Sequence, residues 1–140
     1  MKKIAVIDGL GGGIGSELVS RLRDLKEVGC GAEIIALAAN AVAVERMLKA
    51  GATRGAAGEN AIRMSVRSAD LIVGPIGIII ADSMMGEITG VMAAAILAAP
   101  GERILLPLQN EHVTLAGFEG IPLSKMIEKA VEIVRERLLS

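Results

Sequence analysis

Asp8 ends an apolar run and opens a segment with five glycines in seven residues: Gly9, Gly11, Gly12, Gly13 and Gly15 of IAVIDGLGGGIG, residues 4–15. Glycines let backbone amides approach an anion closely, and a helix that starts at such a turn adds the partial positive charge of its N-terminus. The chemistry suited to this spacing is the holding of a phosphate group, with Asp8, Gly9, Gly11, Gly12, Gly13, Ile14 and Gly15 around it. The same glycines would also serve tight packing of a strand against a helix, so the turn alone leaves both readings open.

Other residues bear on which phosphate ligand is held. A dinucleotide site usually places an acid on the ribose about 20 residues after the glycines, at the end of the second strand. Here that region reads IALAAN, so only Asn40 is available, either for a neutral hydrogen bond to a ribose or as the N-cap of the next helix. Asp8 suits either of two tasks, orienting the turn through backbone amides or holding a metal on a phosphate, and Asp82 and Glu87 are the acids that would join it around Mg²⁺. His112 is the one side chain whose ordinary pKa lies near neutrality. If a reaction occurs, His112, Asp82 and Asp8 are the expected catalytic groups; otherwise His112 is a solvated loop residue.

The spacing G-x-G-x-x-G is not met: counted from Gly9 it ends on Ile14, and from Gly11 on Ser16. Gly9, Gly13 and Gly15 instead make G-x-x-x-G-I-G, which resembles the cofactor turn of short-chain dehydrogenases. The resemblance spans about a dozen residues. It would imply a catalytic tyrosine, but the chain has no Tyr and is about half the usual length of that family, so a complete enzyme of that kind is excluded.

Elements that alternate between strand and helix position these residues. IAVI, EIIALA, LIVG and RILLPL read as buried strands, with a very short strand near Ala52–Arg54 and an edge strand at VTLAG. Ile14, Leu18, Leu22 and Leu25 form the apolar stripe of a helix that GCGAE stops. Helices are expected over AVAVERMLKAG after Asn40, from about Glu59 to Arg67, over a segment that includes Gly90–Ala99, and at PLSKMIEKAVEIVRERLL with Pro122 in the first turn. The order predicts an α/β fold in one domain over residues 1–140: a doubly wound, Rossmann-like, mostly parallel sheet with helices on both faces.

Ligands of such sheets bind outside the carboxyl ends of the strands, where the strand order reverses. Three loops are expected there: the glycine turn, GPIGIIIADS with Gly77, Asp82 and Ser83, and QNEHV with Gln109, Asn110, Glu111 and His112. Gly77, Gln109 and Asn110 would complete the crevice. Arg54 is expected either to reach an anion or to stay solvated, with Glu59 near a helix N-terminus.

Composition removes several function classes. Of 140 residues, 15 are basic and 16 acidic, for a net charge of −1, and there is no Trp, no Tyr and one Phe. That balance, without stacking aromatics, argues against nucleic acid and against an anionic membrane surface. One Cys and one His cannot build a zinc or iron–sulfur site. Cys30 is expected to be a small packing residue between Gly29 and Gly31. The longest nearly apolar stretches, LIVGPIGIIIA and GVMAAAILAAP, have eleven residues each, against the roughly 20 needed to span a bilayer. With no signal-peptide pattern at the start, a cytoplasmic location is expected. Hydrophobic residues make up 52% of the chain and the mean hydropathy is +0.56. Such an apolar domain, with seven Met, is expected to form a homo-oligomer.

Together, IDGLGGGIG, NAVAVERMLKAGATRGAAGENAI and GPIGIIIADSMMGEIT resemble a family of small, single-domain, Rossmann-like prokaryotic proteins catalogued as a domain of unknown function. The resemblance implies a stand-alone α/β protein of this size and assigns no functional residues. Three functions fit the residues: binding of a nucleotide or other phosphate-containing small molecule, with a sensory or regulatory role; an enzyme acting on a phosphorylated or nucleotide-linked metabolite; and a ligand-free structural subunit. A nucleotide or dinucleotide is the cofactor class compatible with the first two.

Overall fold

The strands pair in the order β3-β2-β1-β4-β5, all parallel: β1 is Lys2–Asp8, β2 Ala32–Ala38, β3 Arg54–Ala57, β4 Leu71–Pro75 and β5 Glu102–Leu106. The structure is a computed structural model and describes residues 1–108, 113–118 and 120–140. The helices are α1 (Gly13–Arg23), α2 (Lys26–Gly31), α3 (Ala41–Lys49), α4 (Glu59–Ser65), α5 (Gly90–Ala98) and α6 (Leu123–Leu139), with 3₁₀ turns at Val66–Ser68 and Ile76–Ile79. This is the strand order of the first five strands of a Rossmann sheet.

Alternation along the strands feeds two cores. Ile4, Val6, Ile34, Ala36 and Val73 face α1, α3 and α6, where Leu18, Leu22, Met47, Ile127 and Val134 meet them. Ala5, Ile7, Leu37 and Ile72 face the opposite side, where Ile62, Ile78, Ile88 and Ile96 cover them. Both faces of the sheet are thus closed, as buried parallel strands require. The chain reverses winding between β1 and β4, so a crevice opens above their carboxyl ends. There Gly74 lies so close to the Ile7 carbonyl that a side chain on it would collide with that oxygen.

Four local expectations are corrected. The first helix ends at Arg23, Leu25 turns extended, and α2 runs through the glycines expected to stop it; Val28, three residues on from Leu25, buries its side chain and gives this short helix its anchor. Cys30 is exposed on α2 rather than packed. The third strand falls at Arg54–Ala57, later than Ala52–Arg54, and it is exposed along its length at the sheet edge. Gly55 is required there, because a Cβ would lie 2.7 Å from Val44 and 3.0 Å from the Ala36 carbonyl. Among the described residues VTLAG adds no strand to the five-stranded sheet, and Val113 alone takes part in a single bridge. Phe118 N–H turns back to the Leu115 carbonyl at 3.2 Å and Gly117 has φ +82°, which bends the chain away from an extended path. Among the described residues, no helix is long and apolar enough to cross a membrane.

Candidate functional site

Strand β1 ends on Asp8, whose carboxylate is buried and accepts the Gly15 N–H at 2.7 Å, inside the first turn of α1. This bond ties the helix start back to the strand and sets the shape of the loop between them. Burial pushes the Asp8 pKa up; the Gly15 and Gly9 amides and the nearby Arg46 charge pull it down, and Glu87 adds to the rise. Between the two anchors, Gly12 N–H bonds to the Gly9 carbonyl at 3.0 Å, and Leu10 and Gly12 take left-handed conformations at φ 49° and 73°.

The glycines divide by what they touch. A Cβ on Gly15 would sit 2.6 Å from Met47 Sδ and 2.9 Å from Asp8 Cβ, so this glycine lets α1 lie against β1. Gly12 combines its positive φ with Ala43 backbone 2.8 Å from where a Cβ would stand. Gly9 is roofed by Met84 and Glu87, 2.7 and 2.9 Å from the corresponding point. Gly11 differs: a Cβ there would meet nothing within 4 Å. Fold packing accounts for Gly12 and Gly15 and does not account for Gly11.

Above the turn lies a hollow of about 310 Å³, lined by Asp8–Ile14 of the turn and by Pro75, Gly77, Met84 and Leu108. Among the described residues, the amides of Gly11, Gly13 and Ile14 have no hydrogen-bond partner. Arg46, exposed on α3, stands beside them: its Nη1 lies 3.4 Å from the Gly11 carbonyl and 3.5 Å from a Cβ position on Gly13. The head of α1 thus offers backbone donors beside one guanidinium, with the Asp8 and Glu87 carboxylates close by.

Asn40 follows the end of β2 and caps α3, its Oδ1 accepting the Ala43 N–H at 2.8 Å. Its Nδ2 donates to the Leu10 carbonyl at 2.8 Å and to the Glu87 carboxylate at 2.9 and 3.0 Å. Glu87 Oε1 also accepts the Leu10 N–H at 2.6 Å. The loop after β4 thus reaches across the turn to the end of β2.

Gly77 lines the hollow. Ser83 does not face it; the Ser83 hydroxyl donates to the Gly77 carbonyl. Asp82 is exposed at φ 66°, and Asn40, Asp82 and Glu87 are all absent from the hollow's lining residues. No group of three His, Cys, Asp or Glu side chains is placed to hold a metal ion among the described residues, so Asp8, Asp82 and Glu87 do not gather around one. Arg54 pairs with Glu33 at 2.9 Å at the start of β3, the sheet edge opposite the glycine turn, and Glu59 accepts the Thr89 hydroxyl at 2.7 Å. Gln109, Asn110 and His112 lie outside the described residues.

Arg46 was not singled out from sequence, since on a helix it reads as an ordinary solvated charge. Its signal is Asn40: the helix capped beside the turn carries Arg46 two turns on. A second hollow of about 250 Å³ lies between Pro107, Leu115, Phe118, Ile121 and Met126, with no charged side chain in its lining among the described residues.

Neither the curated proteins nor the solved structures compared with the chain contain a match. Residues 3–139 match the family described as Domain of unknown function (DUF3842), and the chain belongs to it.

Proposed function

We propose that the protein binds a small phosphate-containing ligand, such as a nucleotide, on the Gly9–Gly15 turn, and acts as a binding module of sensory or regulatory type. The observation that carries this reading is Gly11. It lines the hollow, no fold contact requires its missing side chain, and its amide and those of Gly13 and Ile14 are unpaired among the described residues. A phosphate there would meet backbone donors at a helix N-terminus and the Arg46 guanidinium, whereas the buried Asp8 carboxylate is already engaged with Gly15. An enzymatic reading has less support, because neither Asp82 nor any metal-holding cluster stands at the hollow among the described residues.

Thermal unfolding with NAD, NADP, FMN, ATP, ADP, AMP and inorganic phosphate, each with and without Mg²⁺, tests the reading. A ligand at 100 times its Kd should stabilise the fold by about 2.7 kcal/mol, a shift of several degrees. No shift from any of them, on protein shown by mass spectrometry to carry nothing bound, would refute it.

A homo-oligomer is favoured by a separate observation. Helix α5, GVMAAAILA, has no polar side chain, yet Val91 and Leu97 are each 50% exposed. A helix apolar all round belongs in an interior, so this face suits contact with another copy. Val91→Glu should lower the mass measured by sedimentation if it does; a monomeric wild type would contradict it.

A further inference from the structure

Strand β5 is an open edge of the sheet, at the point where a Rossmann order goes on to a further strand. We propose that β5 of a second copy takes that place, so that two chains join edge to edge, antiparallel, about a two-fold axis at Ile104. The proposal goes beyond the α5 contact, which lies on a different element and is tested by a different variant.

The main chain of β5 is self-complementary. The Glu102 N–H donates to the Asp70 carbonyl at 3.2 Å, which turns the main-chain groups of Glu102, Ile104 and Leu106 toward β4. Those of Arg103 and Leu105 then point off the sheet, and among the described residues they have no hydrogen-bond partner. In an antiparallel pair, facing residues can exchange both N–H···O bonds. An axis at Ile104 sets Arg103 opposite Leu105 of the partner subunit, and Leu105 opposite Arg103 of the partner subunit. Every outward N–H and C=O of β5 is then paired.

Edges that stay single are guarded by charge, proline or shortness. The other edge, β3, is only RGAA. Strand β5 instead carries Ile104, Leu105 and Leu106, and its two charges are drawn away. The Arg103 guanidinium donates to the Ala99 and Gly101 carbonyls at 2.6 and 3.1 Å, and Glu102 is held by Arg137 at 2.8 Å. Beside the edge, a hollow of about 380 Å³ opens between β5 and α6, lined by Leu105, Phe118, Met126, Ala130 and Ile133 among others. Lys129 is the one charged side chain in that lining among the described residues.

Helix α6 adds charge complementarity. Lys129 and Ile133 face the hollow, and the same stripe continues to Glu136. Arg137 is bonded to Glu102, so α6 runs back along β5. Four helix residues rise about 6 Å and two strand residues about 6.6 Å, which puts Ile133 level with Ile104. The axis that pairs the strands thus brings Lys129 toward Glu136 of the partner subunit. Lys129 has no ion pair within the chain among the described residues, and Glu136 is 59% exposed, 3.9 Å from Arg137. With 17 residues and a length of about 26 Å, α6 extends the contact past the strand.

Sedimentation and amide hydrogen exchange test the proposal on the wild type, Lys129→Glu, Lys129→Glu/Glu136→Lys and Val91→Glu. The wild type should sediment at no less than twice the 14.5 kDa of the chain, with the Arg103 and Leu105 amides protected, and dilution to monomer should release both amides together. Lys129→Glu sets like charges across the axis and should weaken association about tenfold; adding Glu136→Lys should restore it. Both positions are exposed, so these variants leave the core untouched. Val91→Glu should leave both amides protected. An assembly whose Arg103 and Leu105 amides exchange as fast as in the dilute monomer, or that Lys129→Glu leaves at full strength, overturns the proposal and leaves the α5 contact to be decided by Val91→Glu. A monomeric wild type overturns both.

Discussion

Asn40 and Glu87, 47 residues apart in sequence, meet above the glycine turn with Nδ2 2.9 Å from Oε2 and 3.0 Å from Oε1. One comes from the end of β2 and the other from the loop after β4, so a single amide joins the two halves of the sheet across its switch point. The same side chain caps α3 and holds the Leu10 carbonyl, and this concentration of tasks makes it a sensitive position.

Asn40→Ala should lower stability by about 1–2 kcal/mol through loss of the helix cap alone. Release of Glu87 adds to that. Asn40→Asp keeps the cap but sets a second carboxylate against Glu87, so the loop after β4 should loosen while α3 stays formed. Denaturant unfolding measures the first effect, and amide exchange at Glu87 and Ile88 measures the second.

The glycines of the turn should respond unequally to alanine. Gly12→Ala must adopt φ near +73° with Ala43 backbone 2.8 Å away, and a loss of about 1–3 kcal/mol is expected. Gly15→Ala presses on Asp8 and Met47 and should cost a similar amount. Gly11→Ala meets nothing within 4 Å and should change stability by no more than about 0.5 kcal/mol, while weakening ligand binding at the hollow. Melting curves of the three variants, with and without the ligand that stabilises the wild type, separate packing glycines from the binding one.

Asp8 gives a pH dependence of definite sign. Its native pKa is raised above the ordinary 3.8, with burial as the largest cause, so the folded state holds the Asp8 proton more tightly than the unfolded chain does. The resulting stabilisation is fully present below pH 3.8 and is lost as pH rises through the native value. The stability of the wild type relative to Asp8→Asn should therefore fall as pH rises from 3.8 upward and then level off. Paired melting curves across that range check it; a difference that grows with pH would contradict it.

Arg46 is exposed, so Arg46→Ala should leave stability within about 0.5 kcal/mol of the wild type. Anion binding should weaken about three- to tenfold, and its salt dependence should become shallower. Titration with pyrophosphate at two ionic strengths measures both.

Much of the fold was legible in the residues. IAVI, EIIALA, LIVG and RILLPL carry enough β-branched and aliphatic side chains to mark buried parallel strands, and the helices between them declare themselves by period and caps. The edges were less legible because burial does not discipline them. Arg54–Ala57 pairs through its backbone with no buried side chain, and VTLAG looks β-prone until Gly117 turns the chain. The break at Leu25 was hidden because the apolar stripe continues through it.

At the site, Asp8, the glycines and Gly77 could be read from motif and strand order. Glu87 could not be placed, since its position depends on four residues with left-handed φ, Asp82, Met84, Met85 and Gly86, in a loop whose path no periodicity encodes. The meeting of Asn40 and Glu87 is a tertiary fact, visible only once the strands are ordered.

The central claim is that the Gly9–Gly15 turn holds phosphate, and backbone amide NMR addresses it most directly. Titrating ¹⁵N-labelled protein with ADP should move the Gly11, Gly13 and Ile14 amides first and furthest, in step with a single Kd. Unmoved turn amides at millimolar ADP and pyrophosphate, or shifts confined to another surface, would contradict the account.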